Sequence, residues 1–118
     1  MEKVNLNITL KNNEFEKKNN ISGIFNTKNN ILKYSDDSVD YTIDFNKSIM
    51  IRENNEFNME IDFSKKVIGT MTLFYKQLSK RITFALIIEK LEISTNLFHL
   101  KYIINDTENV EYCIEIIK

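Results

Sequence analysis

The chain has 118 residues, enough for one domain and one core, and residues 1–118 are read as a single domain. Hydrophobic residues make up 42% and charged residues 28%, the balance of a soluble globular fold rather than a disordered or fibrous chain. A formal net charge of −1 argues against a strong electrostatic grip on nucleic acid or on an anionic membrane.

Almost everywhere the apolar residues recur every second position. Val4, Leu6, Ile8 and Leu10 alternate with Asn5, Asn7 and Thr9, which predicts a half-buried strand. Lys11 to Asn20 reads as a charged, Asn-rich loop. Short strands follow at Ile21 to Phe25 and Ile31 to Tyr34, and Ser35 to Ser38 reads as a turn. Val39, Tyr41, Ile43 and Phe45 alternate with polar residues, and Asn46-Lys47 turns the chain into Ile49 to Arg52. Asn54-Asn55 leads to Phe57, Met59, Ile61 and Phe63, and then come Val67 through Tyr75. Gln77 to Lys80 is a connection, and Lys76 to Lys80 has room for a single helical turn. Leu97 to Ile104 and Val110 to Ile116 finish the chain around a turn at Asn105 to Asn109.

The phase breaks once. Ile82, Phe84, Leu86 and Ile88 are even, whereas Leu91 and Ile93 are odd, so a bulge near Glu89-Lys90 is needed to keep both sets on one face. No stretch shows sustained helical spacing. About eight to ten short strands with tight connections imply an all-β, antiparallel, up-and-down meander. Closing it into a barrel buries the apolar face and removes the edges. With only two glycines, Asn is expected to do much of the turn work, because it tolerates left-handed backbone angles and bonds to its own backbone.

The inward phase would include Phe45, Phe57, Met59, Ile61, Phe63, Phe84, Leu86, Phe98, Leu100, Tyr102 and Tyr112. A barrel of about eight strands is just wide enough to be filled by side chains or to hold one small ligand. Two readings follow. In the first, the interior binds an apolar or amphipathic small molecule. The ligand-lining candidates are Phe57, Met59, Ile61, Phe84, Leu86, Phe98, Leu100, Tyr102 and Tyr112, with Arg52, Tyr102 and Tyr112 as orienting polar groups. In the second, the core is filled and the protein is an interaction module. An outer surface or the Lys11–Asn20 segment would then meet a partner, a second copy in a homodimer among the candidates.

Catalytic signals are weak. His99 is the only histidine and falls on the outer phase. Cys113, also on the outer phase, is flanked by Glu111 and Glu115, which raise a thiol pKa and disfavour the thiolate. A hairpin register bringing residues 99 and 113 together would make a Cys–His pair, an unfavourable nucleophile in that field. Asp36, Asp37 and Asp40 lack the glycine and distant glutamate of a helix-loop-helix calcium site and read as a solvated turn. No phosphate-cradling glycine loop, nucleophile elbow or zinc spacing is present, so neither an enzyme nor a cofactor is expected. The start of the chain lacks the layout of a secretory signal, and the single cysteine gives no internal disulfide, so a cytoplasmic location without membrane or nucleic-acid partners is expected.

From Ile31-Leu32-Lys33-Tyr34 onward the chain resembles the YwiB-like family, small bacterial proteins of unknown function. The resemblance covers the Val39 to Phe45 strand, Ile49-Met50-Ile51-Arg52, Phe57 to Phe63, Leu73-Phe74-Tyr75, Leu91-Glu92-Ile93 and Leu100-Lys101-Tyr102. Arg52, Tyr75 and Tyr102 match the family's arginine and two tyrosines. The family's Thr-Pro-Tyr-Gly connection is replaced here by Gln77-Leu78-Ser79-Lys80. The resemblance implies a calycin-type, lipocalin-like β-barrel and, by fold analogy, a hydrophobic ligand.

Overall fold

The structure is a computed structural model that describes residues 1–117. Ten antiparallel strands form a closed up-and-down barrel. They are β1 (Glu2–Asn12), β2 (Glu16–Asn26), β3 (Ile31–Asp36), β4 (Val39–Asp44), β5 (Ile49–Glu53), β6 (Phe57–Asp62), β7 (Ile68–Tyr75), β8 (Lys80–Ser94), β9 (Leu97–Ile104) and β10 (Glu108–Ile117). Each strand pairs with its chain neighbours, and β1 closes the ring on β10 from Asn5↔Ile117 to Asn12↔Val110. No helix long and apolar enough to cross a membrane occurs among the described residues.

The alternating pattern survives as burial. Phe98, Leu100, Tyr102 and Ile104 of β9 are buried, and the residues between them are partly exposed. The expected bulge lies in β8, where the register against β9 slips between Ile88 and Lys90. That extra residue keeps Leu91 packed against the core after Ile88.

The turns rest on short polar side chains. Asn12, Asn26, Asp44, Asn54 and Asp62 each accept a hydrogen bond from the backbone N–H two residues on, closing an Asx turn. Asp37 and Ser38 both have positive φ, 51° and 65°, between the paired residues Asp36 and Val39. That is the left-handed two-residue hairpin whose twist suits the flanking strands. The turn work is thus shared among Asn, Asp, Ser and Lys66, and neither glycine has a positive φ.

Both glycines serve close packing instead. A Cβ on Gly69 would lie 2.7 Å from the Asp62 carbonyl oxygen. A Cβ on Gly23 would lie 2.8 Å from Leu6 Cδ1 and 3.0 Å from the Lys33 carbonyl oxygen.

Two sequence expectations need correction. Lys11 to Asn20 is not a loop, because β1 runs to Asn12 and β2 starts at Glu16, with a tight turn between them. The segment hid its strands because the inward positions of β2 there are polar. Lys17 and Asn19 stand opposite Leu10 and Ile8, so they share the phase of those apolar residues. Lys76 to Ser79 forms a turn with Ser79 at φ 48°, not a helical turn, since the directly paired Tyr75 and Lys80 leave only a hairpin's span.

The ladder between β2 and β3 is short. It runs only from Gly23↔Tyr34 to Asn26↔Ile31, although β2 continues back to Glu16 and β3 on to Asp36. Beyond Gly23 and Tyr34 the two strands are bridged by side chains. Asn19 Nδ2 donates to Asp36 Oδ1 at 2.6 Å, Lys17 Nζ lies 3.8 Å from the same oxygen, and Lys17 also pairs with Asp37.

Candidate functional site

The barrel interior divides into two chemically different halves. Toward the end that carries the Asn26–Ile31, Asp44–Ile49 and Ser94–Leu97 connections, the filling is aromatic hydrocarbon. Phe98 is fully buried, with its ring centroid 5.5 Å from Phe63 and 5.9 Å from Phe45, and Phe25 lies 6.2 Å beyond Phe45. Leu32, Ile43, Met50, Ile61 and Ile114 are buried in the same core.

Toward the other end, which carries the Asp36–Val39 and Ile104–Glu108 turns, the interior holds four tyrosines and an arginine. Tyr34 and Tyr41 are direct cross-strand partners and stack at 4.6 Å with 9° between their planes. Arg52 on β5 is the partner of Tyr41 on β4. Its Nη1 donates to the Tyr112 hydroxyl at 3.1 Å, a contact that links β5 to β10. The guanidinium carbon lies 5.3 Å from the Tyr41 ring centre and 6.0 Å from that of Tyr112, within cation–π range. The ring of Tyr102 lies 6.4 Å from that of Tyr112.

Two polar atoms in this cluster are buried without a hydrogen-bond partner, the Tyr34 hydroxyl and Arg52 Nε. Among the described residues no carboxylate comes within ion-pair distance of Arg52. Buried polar groups normally find partners, so this end of the barrel is under-satisfied.

The ionisation states follow from the surroundings. Burial raises the pKa of Tyr34, with Tyr41 and Tyr112 adding to the shift. Burial also raises Tyr41, Tyr102 and Tyr112, and in all four tyrosines the Arg52 charge pulls partly the other way. All four therefore stay protonated and can donate. Burial opposes the charge on Arg52, but the neighbouring Tyr112 and Tyr41 outweigh it and hold its pKa above the ordinary value.

Of the lining residues expected from sequence, Met59, Ile61, Leu86, Phe98, Leu100, Tyr102 and Tyr112 are buried in one core, and Phe57 and Phe84 pack against it half-buried. Arg52 and Tyr112 are joined by the hydrogen bond above, while Phe98 belongs to the hydrocarbon half. Sequence reasoning missed Tyr34 and Tyr41 as site residues and missed Lys17, Asn19 and Asp36 at the seam. Both tyrosines sit at inward positions of the alternation, but a lone strand cannot reveal that they stack beside an arginine.

The outer-face pair is also clear. Cys113 and His99 are direct partners on β10 and β9. His99 Nε2, however, is hydrogen-bonded to Glu111. Burial raises the Cys113 thiol, and Glu115 and Glu111 push it further up. The thiol stays protonated and the imidazole is engaged elsewhere, so this is not an activated nucleophile.

An open groove of about 940 Å³ crosses the outer faces of β1 to β5, lined among others by Lys3, Ile24, Lys33, Thr42 and Glu53. It also touches Tyr34 and Tyr41, close to the place where the β2–β3 ladder stops. A second opening of about 390 Å³ sits at the hydrocarbon end beside Phe25, Phe45 and Ile93.

No protein-family model matches the chain, and a comparison with curated proteins gives no match either.

Proposed function

We propose that this protein is a small-molecule-binding barrel that holds an apolar or amphipathic ligand with its polar end in the tyrosine–arginine half. The observation that carries this reading is the pair of buried, unpartnered polar atoms on Tyr34 and Arg52. Interiors rarely leave such groups unpaired, and a ligand's polar end would satisfy them. The resemblance to the YwiB-like, lipocalin-like barrels points the same way and would make this a bacterial, cytoplasmic carrier. Arg52, Tyr112 and Tyr102 orient the ligand, and Met59, Leu100 and Phe57 meet its apolar part.

The test is native mass spectrometry of the protein purified gently from its host, beside the denatured mass. A discrete extra mass that vanishes on denaturation is expected. A clean apo mass, together with no uptake of an added amphipathic probe, would overturn the reading.

A second reading has its own observation. On the outer face Ile68, Ile87 and Ile103 stand directly opposite one another across β7, β8 and β9. Ile68 is 59% and Ile87 49% exposed, and Val67 beside them is 67% exposed. An exposed apolar row suits contact with a second copy of the chain. In that case the same spectrum shows an apo dimer, and Ile87→Lys returns it to monomer.

A further inference from the structure

The reading of an interior ligand leaves open what its polar end is. Arg52 carries a charge that cannot be neutralised by losing its proton. Its contacts are neutral: the Tyr112 hydroxyl on Nη1, a side-chain hydrogen bond with Tyr41, and the ring faces of both tyrosines. The inward-facing carboxylate of β3, Asp36, is engaged by Asn19 and Lys17 of β2 instead. The cluster therefore holds one uncompensated positive charge at the barrel's polar end.

The free hydrogen-bonding capacity is of the matching kind. Arg52 Nε is a donor and has no partner. The Tyr34 side chain is 95% buried by the 5% exposure of its residue, and its hydroxyl has no partner either. With Nη1 committed to Tyr112, Nε is the guanidinium donor left buried without a partner, and a charged N–H bonds an oxyanion oxygen more strongly than a neutral one. A cationic head would meet Arg52 with no carboxylate to offset it. A neutral alcohol would leave the charge as it stands.

We infer that the site takes an oxyanion, a carboxylate, sulfate or phosphate, carried at the end of an apolar chain and seated on Arg52 Nε and the Tyr34 hydroxyl. This rests on the interior-ligand reading. The raised pKa of Tyr34 is consistent with it, since a protonated hydroxyl donates to an anion and an ionised one would repel it. Tyr34 is also the last residue of β3 paired to β2, which sets its ring at the mouth of the β2–β3 seam.

The experiment is calorimetric titration of the full chain with dodecanoate, dodecanol, dodecylammonium and acetate, each below its aggregation limit. Dodecanoate is expected to bind about tenfold or more tighter than dodecanol, with dodecylammonium weakest, as charge-assisted bonds to a partly buried guanidinium require. Tyr34→Phe and Arg52→Met should each weaken dodecanoate by a larger factor than dodecanol. Tyr34→Phe removes a single oxygen, so it carries the test if Arg52→Met does not fold. Equal binding of dodecanoate and dodecanol, unmoved by either variant, would overturn the anion assignment and leave the carrier reading standing. No binding of any of the four would overturn both. Acetate binding as tightly as dodecanoate would support the anion site and overturn the amphipathic ligand.

Discussion

The two ends of this barrel are built from the same alternating strands and yet solve different problems. At the hydrocarbon end, Phe45, Phe63 and Phe98 meet ring on ring. At the other end the same inward phase delivers Tyr34, Tyr41, Arg52, Tyr102 and Tyr112, with one charge and two hydrogen-bonding atoms left over. Packing alone explains the first, because every group there is satisfied by contact. It does not explain the second, where stability would be better served by apolar residues of the same size. A region that departs from the packing rules is where a function is to be sought.

The sharpest test of that contrast sets one residue from each end side by side. Phe98→Ala should cost about 3–5 kcal/mol, the range for emptying a buried aromatic site, read from denaturant unfolding. Arg52→Met should leave stability unchanged or raise it, because it removes a partly buried charge without opening a large cavity. A loss with Arg52→Met as large as with Phe98→Ala would make the polar end a structural element and erase the comparison.

Gly69→Ala should cost about 1–3 kcal/mol, because the nearest obstacle is the backbone carbonyl of Asp62, which cannot swing away. Gly23→Ala should cost less, since Leu6 Cδ1 is the end of a side chain that can adjust, although the Lys33 carbonyl limits the relief.

The tyrosines of the polar end give a pH test. Tyr34, Tyr41, Tyr102 and Tyr112 all have raised pKa values in the folded barrel. Unfolded tyrosines lose their protons near pH ~10, so above that point the folded state binds more protons than the unfolded one. Stability is fully present below pH ~10 and falls as pH rises beyond it. In an alkaline titration the ionised-tyrosine absorbance of these four should appear together with unfolding. Gradual ionisation in the intact barrel would mean that the polar end is open to water.

The smallest effect belongs to the outer face. Cys113 should react with iodoacetamide at neutral pH more slowly than a free thiol, because burial and the carboxylates of Glu115 and Glu111 disfavour the thiolate. Reaction faster than the free thiol would reopen the Cys113–His99 pair as a chemical site.

Much of this was readable from the residues. Alternation such as Phe98-Leu100-Tyr102-Ile104 encodes which face is inward, since successive side chains in a strand point to opposite sides. The phase break between Ile88 and Leu91 likewise locates the bulge. The start of β2 was not readable, because Lys17 and Asn19 are inward-facing polar residues that only make sense beside Asp36. The site was half readable. Arg52, Tyr102 and Tyr112 are singled out by the sequence as orienting polar groups, whereas Tyr34 and Tyr41 are not.

Local chemistry alone therefore determined the all-β class and, outside the β1–β2 hairpin, the inward phase and most turn positions, because strand periodicity and Asx turns depend only on near neighbours. What tertiary structure decided was the company each inward residue keeps. Ring closure of β1 on β10 brings Tyr112 within reach of Arg52, 60 residues away, and the early end of the β2–β3 ladder leaves Tyr34 buried with its hydroxyl unpaired. Those relations depend on register and shear around a closed ring, a property of all ten strands together rather than of any one of them.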